Sequence, residues 1–349
     1  MARESQDTVV RKDSGNRLGW VDIARGIGML LIIEGHLGMP SRITNLAFSV
    51  HVPLFFLISG YLVRVGRPDS TARNARRLLL PYLATGVAIA IIESIKALSN
   101  GGIIQAASVL TEWLAATAFG SGTNASPILG IHMIGATWFL LALFFALLVY
   151  ERINSTKAVW PIVLAVFAAG YISSQYWWLP WSIQPACTAL LFLHIGHEAK
   201  SRGFNPAKAH PVIIAVALAV WLVALIIDHG EMYIVSNYFR CLPVDIAGAL
   251  AGTIVICRIS SVLDGFGSAA EPLRFLGRNS LPIMCFHLIE LTCIPWWDIA
   301  SLFGLGWRRL TFLLMFIAKV AWASCWAFIC LRAHLLSVLF NGSSKKESH

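Results

Sequence analysis

The sequence predicts an all-α, polytopic membrane protein with about ten transmembrane helices and with both termini in the cytoplasm. Hydrophobic residues make up 57% of the 349 positions and charged residues only 13%, whereas about a quarter of a soluble domain is charged. Apolar stretches of roughly 20 residues, the length that crosses the hydrocarbon core, recur along the chain. Basic residues lie between these stretches, so the net charge of +9 predicts membrane lipids rather than nucleic acid as the charged partner.

Ten stretches of the chain are apolar and long enough to be predicted spans. They are 20–39, 46–63, 78–98, 134–150, 158–174, 181–197, 211–228, 242–258, 279–295 and 310–335. The stretch 103–118 has the pattern of an amphipathic helix lying along one surface. These boundaries divide the chain into a cytoplasmic N-terminal segment, 1–19, a membrane domain, 20–340, and a short cytoplasmic tail, 341–349.

Basic residues set the predicted orientation of these spans. With the N-terminus inside, 20 of the 27 Lys and Arg residues fall in cytoplasmic segments, four in exterior loops and three within spans. An excess of this kind on one side is the positive-inside pattern, which predicts a multi-pass protein of the cell membrane. The seven cysteines include no CxxC pair, so the sequence predicts neither a disulfide framework nor a zinc site.

The first predicted span, "GWVDIARGIGMLLIIEGHLGMP", carries four ionisable side chains: Asp22, Arg25, Glu34 and His36. Arg25 and His36 are 11 residues apart, so they share one helix face with a rise of roughly 16 Å between them. Asp22 falls near the same stripe, and Glu34 on the opposite side. Ionisable groups inside a membrane indicate function, and histidine exchanges a proton near neutral pH. The alternative is an interfacial Asp22–Arg25 pair, with His36 as a hydrogen-bonded polar residue.

Two later groups of polar residues have both a structural and a functional interpretation. Arg73, Arg76 and Arg77 precede the third span, where arginines either set topology and anchor lipid phosphates or bind an anionic ligand from the cytosol. In "FLGRNSLPIMCFHLIEL", His287 and Glu290 lie one helical turn apart within a span. That pair is either an interhelical hydrogen bond or part of a site, and the sequence leaves both open.

Five segments together resemble one family, the acyltransferase 3 proteins, which are integral-membrane enzymes that O-acylate cell-surface glycans. The segments are, in order, "DIARGIGMLLIIEGH", "FSVHVPLFFLISGYL", "RNARRLLLPYL", "TWFLLALFF" and "LGRNSLPIMCFH". The first contains the spacing of Arg25 and His36, and the third is similar to the family's cytoplasmic Arg-x-x-Arg signature. The resemblance covers 18–290 and is to the stand-alone form, without an appended hydrolase-like domain.

The resemblance implies that the protein moves an acyl group across the membrane. The implied donor is acyl-CoA on the cytoplasmic side, and acetyl-CoA is the form expected by analogy with the family. The implied acceptor is a hydroxyl of a glycan or glycolipid on the exterior side, such as exopolysaccharide, capsule or O-antigen. Neither a metal nor a bound cofactor is implied.

The resemblance also implies roles for particular residues. His36 is the expected catalytic residue, either as general base or as acyl carrier, and Arg25 places CoA or its thioester. The expected acyl-CoA-binding residues are Arg73, Arg76 and Arg77. The secondary site candidates are Asp22, Glu34, His287 and Glu290.

A proton-coupled transporter of a small solute is the main alternative. Ten spans with His, Arg and Glu side chains inside the membrane also fit a carrier. Such carriers commonly repeat one half of their fold in the other, with broken helices, and the sequence shows no such repeat. An enzyme consumes acyl-CoA whereas a carrier does not, so acyl-CoA turnover separates the two hypotheses.

Overall fold

The computed structural model describes residues 18–38, 42–66, 69–124, 131–230, 232–306 and 309–341. Within these ranges the helices are α1 (Gly19–Gly35), α2 (Arg42–Leu62), α3 (Ser70–Phe119), α4 (Trp138–Ile153), α5 (Val159–Ser173), α6 (Ile183–Ser201), α7 (Pro211–Asp228), α8 (Leu242–Asp264), α9 (Glu271–Arg278), α10 (Ser280–Cys293), α11 (Trp296–Leu302), α12 (Arg309–Arg332) and α13 (His334–Asn341). Two short antiparallel strands, β1 (Met232–Tyr233) and β2 (Tyr238–Phe239), form a hairpin between α7 and α8. The described chain is therefore almost entirely α-helical, as predicted. Most of the predicted segments 1–19 and 341–349 lies outside the described residues.

Each of the ten predicted spans coincides with a helix. They fall on α1, α2, the first part of α3, α4, α5, α6, α7, α8, α10 and α12. Among the described helices, α2, α3, α4, α8 and α12 are long and apolar enough to cross a membrane, and α10 with α11 adds a sixth if that bent pair is one span. α1 has 17 residues and α5 has 15, so at ~1.5 Å per residue both are shorter than the ~30 Å core. The helices give a multi-pass membrane protein, while the number of spans and the side of each terminus stay predictions.

α3 is a helical hairpin rather than one straight helix of 50 residues. Gly102 interrupts it with a backbone φ of 77°, which glycine adopts without a steric penalty. The hydroxyl of Tyr82 donates a hydrogen bond to the carbonyl of Thr117, 35 residues further on. A straight helix would separate these residues by roughly 52 Å, so the chain folds back at Gly102. The helix predicted for 103–118 is present, but it forms the returning arm of this hairpin and packs against the first half of α3, rather than lying by itself along one surface.

α2 lies between α1, α6 and α8 and contacts all three. A methyl group added at Gly60 of α2 would collide with the backbone carbonyl of Leu193 in α6, and one added at Gly196 of α6 would collide with that of Leu57. Small residues at such a crossing let two backbones approach closely, which is how helices associate in lipid. This contact fixes the position of α2, which forms one wall of the cavity described below.

α10 and α11 meet at a bend of 63°. Pro295 lies in the two-residue break between them, where it supplies no backbone N–H to continue the helix. α10 packs against α12, α3 and α1. His287 and Glu290 of α10 are consequently buried in the interior of the bundle, each with no exposed surface.

Candidate active site

A cavity of about 500 Å³ lies between α1, α2, α3, α4, α10 and the β1–β2 hairpin, and we refer to it as the main cavity. Arg64, Arg73 and Arg77 line one end; these three exposed arginines are the arginine mouth. His36 and Tyr233 line the other end. The wall between the ends is mostly apolar and includes Met29, Ile32, Phe55, Leu143 and Leu147. Sites for small molecules and cofactors commonly measure ~300–1,000 Å³, so the main cavity has the size of a ligand site.

One face of α1, continued into the turn that follows it, supplies two of the polar groups that line the main cavity, Arg25 and His36. Arg25, Met29, Ile32 and His36 all line it, at intervals of four, three and four residues, which is the spacing of one helical stripe. The prediction that Arg25 and His36 share a face is therefore confirmed. Asp22 is buried and does not line the cavity, because this part of α1 packs closely on Gly277 of α9.

The hydrogen bond of His36 determines which ring nitrogen can act as a base. Its Nδ1 lies 2.7 Å from the backbone carbonyl oxygen of Ile32. A carbonyl oxygen only accepts hydrogen bonds, so Nδ1 carries the proton and donates it. The lone pair of the neutral imidazole is then on Nε2. His36 thus has the tautomer that a general base or a nucleophile requires.

A buried network of charged residues lies behind His36. The carboxylate of Glu290 accepts hydrogen bonds from His287 Nδ1 at 2.6 Å, from Lys319 Nζ at 2.8 Å and from the indole nitrogen of Trp296. Lys319 is 2% exposed, and Glu290 and His287 are not exposed at all. Charges inside a membrane occur where they are paired in this way. We call these four residues the buried charge network.

The buried charge network reaches His36 through His287. The ring centroids of the two histidines are 5.5 Å apart in an edge-to-face arrangement. Nε2 of His287 is buried and has no hydrogen-bond partner among the described residues. An imidazole that donates through Nδ1 to a carboxylate is held in one orientation with Nε2 available. The sequence left a structural and a functional role open for His287 and Glu290, and the structure brings both to the side of His36.

The arginine mouth depends on the helical stripe at the start of α3. Ser70, Arg73, Asn74, Arg77 and Leu78 line the cavity at intervals of three, one, three and one residue, so they share one face. Arg76 points elsewhere, since it does not line the cavity in spite of its exposure. The structure thus brings together two of the three arginines predicted to bind acyl-CoA.

A carboxylate holds the cavity-facing side of α3 against α4. Glu151 of α4 accepts hydrogen bonds from Thr71 Oγ1 at 3.0 Å and from Asn74 Nδ2 at 3.1 Å. Glu151 also lines the main cavity. The helix that carries Arg73 and Arg77 is therefore tied to α4 at this end of the cavity.

Aromatic rings surround His36 at the opposite end. Phe48 lies 6.4 Å from His36, 5.1 Å from His51 and 5.1 Å from Tyr233, measured between ring centroids. Glu34 lines neither this cavity nor the second one; it accepts a hydrogen bond from Thr44 at 2.9 Å. Glu34 therefore joins α1 to α2 on the side away from the cavity, as its helical position predicted.

Comparison with protein families identifies the chain. A family model described as an acyltransferase domain, that of the acyltransferase 3 family, matches residues 18–332. The chain belongs to the acyltransferase 3 family. No curated protein and no solved structure matches it. The match covers most of the chain, so the protein is a membrane acyltransferase.

Several residues of the acyltransferase's main cavity were not singled out by the sequence. Arg64 directly follows the second predicted span. A charge at that position is the signal by which the sequence could have identified Arg64 as a site residue. Asn74 and Glu151 gave no local signal, because their pairing joins residues 77 apart. Tyr233 enters the cavity through the β1–β2 hairpin, which the pattern of apolar spans does not predict.

The part of the acyltransferase that the structure describes contains no cluster of side chains suited to binding a metal ion. No group of three His, Cys, Asp or Glu side chains there is arranged to hold a metal ion. The polar groups that line the main cavity include imidazole and guanidinium side chains, the Glu151 carboxylate and the Tyr233 hydroxyl. These can move a proton, attack a carbonyl carbon or hold an anion.

Proposed function

We propose that this acyltransferase is an O-acetyltransferase that moves an acetyl group from cytoplasmic acetyl-CoA to a hydroxyl of a glycan on the exterior side of the membrane. The observation that carries the proposal is the main cavity, which joins the arginine mouth to His36. Acetyl-CoA has phosphate groups at one end and a reactive thioester at the other. A cavity with a cationic entrance and an imidazole at its far end suits a donor of that shape.

The arginine mouth would bind the phosphates of the donor. Guanidinium groups form paired hydrogen bonds to phosphate oxygens, and Arg64, Arg73 and Arg77 are exposed and therefore accessible. The predicted orientation puts this end in the cytoplasm, where acyl-CoA is found. Arg25 lies roughly 16 Å along α1 from His36, so it would contact the arm of CoA between the phosphates and the thioester.

His36 would carry the chemistry at the far end. As a general base, Nε2 takes the proton of the acceptor hydroxyl while its oxygen forms a bond to the thioester carbonyl carbon. The carbon–sulfur bond then breaks, and the CoA thiolate receives that proton from His36. As an acyl carrier, Nε2 itself attacks the carbonyl carbon, and the carbon–sulfur bond breaks to release the CoA thiolate. In a second step the hydroxyl oxygen attacks the acyl-imidazole, its carbon–nitrogen bond breaks, and the hydroxyl proton ends on the CoA sulfur. Both routes yield the same ester and free CoA.

The acetyl group and the glycan come from the chemistry of the family that the chain belongs to. Family members O-acylate cell-surface glycans, and acetyl is the form expected by analogy. The position of His36 supports an exterior acceptor, since it lies at the end of the main cavity away from the arginine mouth. His51 and Tyr233, which line the same end, would face the acyl group.

The test is acetyl-CoA consumption by purified protein in nanodiscs. We expect wild type to hydrolyse acetyl-CoA slowly and to transfer the acetyl group when envelope glycans are supplied. His36→Ala should lose both activities, by a factor of about 10²–10⁴ for a general base. Thermal unfolding of each variant shows whether the loss reflects chemistry or folding.

One result would favour the rival carrier, and another would change only the acyl group. If acetyl-CoA neither binds to wild type nor turns over, even with glycans present, acetyl-CoA is not the donor. A carrier of a small solute then becomes the better hypothesis. If longer acyl-CoA molecules react and acetyl-CoA does not, the enzyme stands and the acetyl assignment fails. Isothermal titration with a non-hydrolysable acyl-CoA analogue distinguishes absent binding from slow chemistry.

A further inference from the structure

A second, smaller cavity of about 190 Å³ adjoins the main cavity at His36, and we call it the small chamber. The turn that follows α1 supplies His36 and Leu37, and α12 supplies Met315 and Lys319. The remaining wall comes from the end of α10, the bend and the start of α11: Leu291, Ile294, Pro295, Trp296, Trp297 and Asp298. His36 lines both cavities, whereas none of the arginines that the structure describes lines the small chamber.

The lining of the small chamber combines aromatic surface with a few polar groups. Its lining includes the indole rings of Trp296 and Trp297, the carboxylate of Asp298 and the ammonium group of Lys319. The faces of a sugar ring carry C–H groups that pack on aromatic rings, and its rim carries hydroxyls that donate to a carboxylate. The chamber is smaller than the ~300–1,000 Å³ sites of drug-sized ligands. It therefore suits a single hydroxylated ring rather than a nucleotide.

Both indoles are held in place by neighbouring groups. The Trp296 nitrogen donates to Glu290, and Lys319 Nζ lies 5.2 Å from the centre of the Trp296 ring, which is a cation–π distance. Trp297 packs edge-to-face on Phe312 with 5.1 Å between ring centroids. A rigid aromatic surface binds a ring with little loss of side-chain entropy. Glu290 also orients His287 beside His36. The buried charge network therefore holds both a wall of the small chamber and the imidazole next to His36.

We infer that the small chamber binds the acceptor, as one sugar ring packed on Trp296 and Trp297, with a hydroxyl directed at Nε2 of His36. This inference rests on the proposed function and adds the division of the substrates: the acyl donor in the main cavity, the acceptor in the small chamber. The acceptor oxygen forms its bond to the thioester carbon, the carbon–sulfur bond breaks, and the hydroxyl proton passes through His36 to the CoA sulfur. Asp298 orients the ring through its other hydroxyls.

The test compares acetyl-CoA hydrolysis without acceptor with transfer to simple sugars. Purified wild type in nanodiscs is given labelled acetyl-CoA and a panel of methyl glucoside, methyl galactoside and methyl rhamnoside. Trp297→Leu and Asp298→Asn should raise the KM for the accepted glycoside by about tenfold or more, because each removes a contact to the ring. The KM for acetyl-CoA and the rate of hydrolysis should stay within about twofold of wild type, a change of under ~0.5 kcal/mol.

Trp322→Leu is the matched control, because Trp322 is on α12 and lines neither cavity. It should leave the KM for the glycoside unchanged. Asp298→Asn is the safer of the two test variants, since Asp298 is exposed and the change preserves its size. A KM effect of Asp298→Asn therefore remains interpretable even if Trp297→Leu unfolds the protein.

Three outcomes overturn the inference while leaving the proposed function intact. In the first, the chamber variants change the KM for acetyl-CoA and not that for the glycoside. In the second, Tyr233→Leu in the main cavity raises the glycoside KM and the chamber variants do not, which places the acceptor in the main cavity. In the third, wild type hydrolyses acetyl-CoA and acetylates none of the glycosides. A wild type without hydrolysis, transfer or acetyl-CoA binding instead contradicts the proposed function itself.

Discussion

The arginine mouth and the buried charge network hold their charges in opposite ways. Arg73 and Arg77 are exposed at the entrance of the main cavity, whereas the Glu290 carboxylate has no exposed surface and accepts three hydrogen bonds. An exposed guanidinium is hydrated and can exchange water for a ligand anion. A buried carboxylate that already accepts hydrogen bonds from its partners cannot bind a ligand without breaking one of these bonds and leaving a buried charge unpaired.

This difference predicts separate consequences for binding and for stability. Charges at the mouth should govern how tightly a donor binds, with little effect on whether the protein folds. Charges in the buried network should govern folding and the orientation of the imidazoles, with little direct contact to the donor. Variants that violate this division would show that the two regions are not functionally distinct.

The largest effect is expected from Glu290→Gln. The change leaves the Lys319 ammonium buried without its carboxylate, and breaking a buried pair in this way typically destabilises a protein by about 3–5 kcal/mol. Thermal unfolding in detergent should show a large drop in Tm. The double variant Glu290→Gln/Lys319→Met, which removes both charges, should recover part of that stability. A double variant less stable than the single one would contradict the assignment of Lys319 as the main partner of Glu290.

A smaller effect, on binding alone, is expected at the arginine mouth. Arg73→Ala or Arg77→Ala should raise the KM for acetyl-CoA by about tenfold, which corresponds to ~1.4 kcal/mol. The difference from wild type should shrink as salt is added, because exposed charges are screened. Arg76→Ala is the matched control, since Arg76 is equally exposed and lies off the cavity. Equal KM changes in all three variants would show that the arginines act through net charge rather than position.

The smallest effect is expected from Tyr82→Phe in α3. The change removes the hydrogen bond between the two halves of the helical hairpin, which typically contributes about 0.5–1.5 kcal/mol to stability. The Tm should fall slightly, and the KM for acetyl-CoA should be unchanged because Tyr82 does not line the main cavity. A change in KM without a change in Tm would indicate that the fold-back of α3 shapes the donor site.

Local sequence patterns account for the parts of the site that lie on one helix. The face shared by Arg25 and His36 follows from the 3.6-residue period alone. The same period places both Arg76 and Arg77 beside Arg73, three and four residues further on, so it cannot tell which of the two faces a cavity. The packing of α4, through Glu151, decides that.

Contacts between distant spans could not be predicted in this way. Lys319 was recognisable as a charge within a span, yet its pairing with Glu290, 29 residues earlier, depends on how α10 and α12 pack. The fold-back of α3 had a local signal in the sequence "SNGG", in which the second glycine is Gly102. Paired glycines favour a turn, although the residues around them favour helix. The small chamber depends on the bend at Pro295 and on residues from four helices or their ends, so no single segment encodes it.

The position of His36 in the wall between two cavities has a consequence for energy coupling. With one substrate on each side of a single imidazole, only the acyl group changes compartments, and neither CoA nor the sugar crosses the bilayer. The protein then needs no alternation between inward-open and outward-open states, unlike a carrier. The cleavage of the thioester would itself drive the reaction, so turnover should proceed without an ion gradient and be insensitive to the membrane potential.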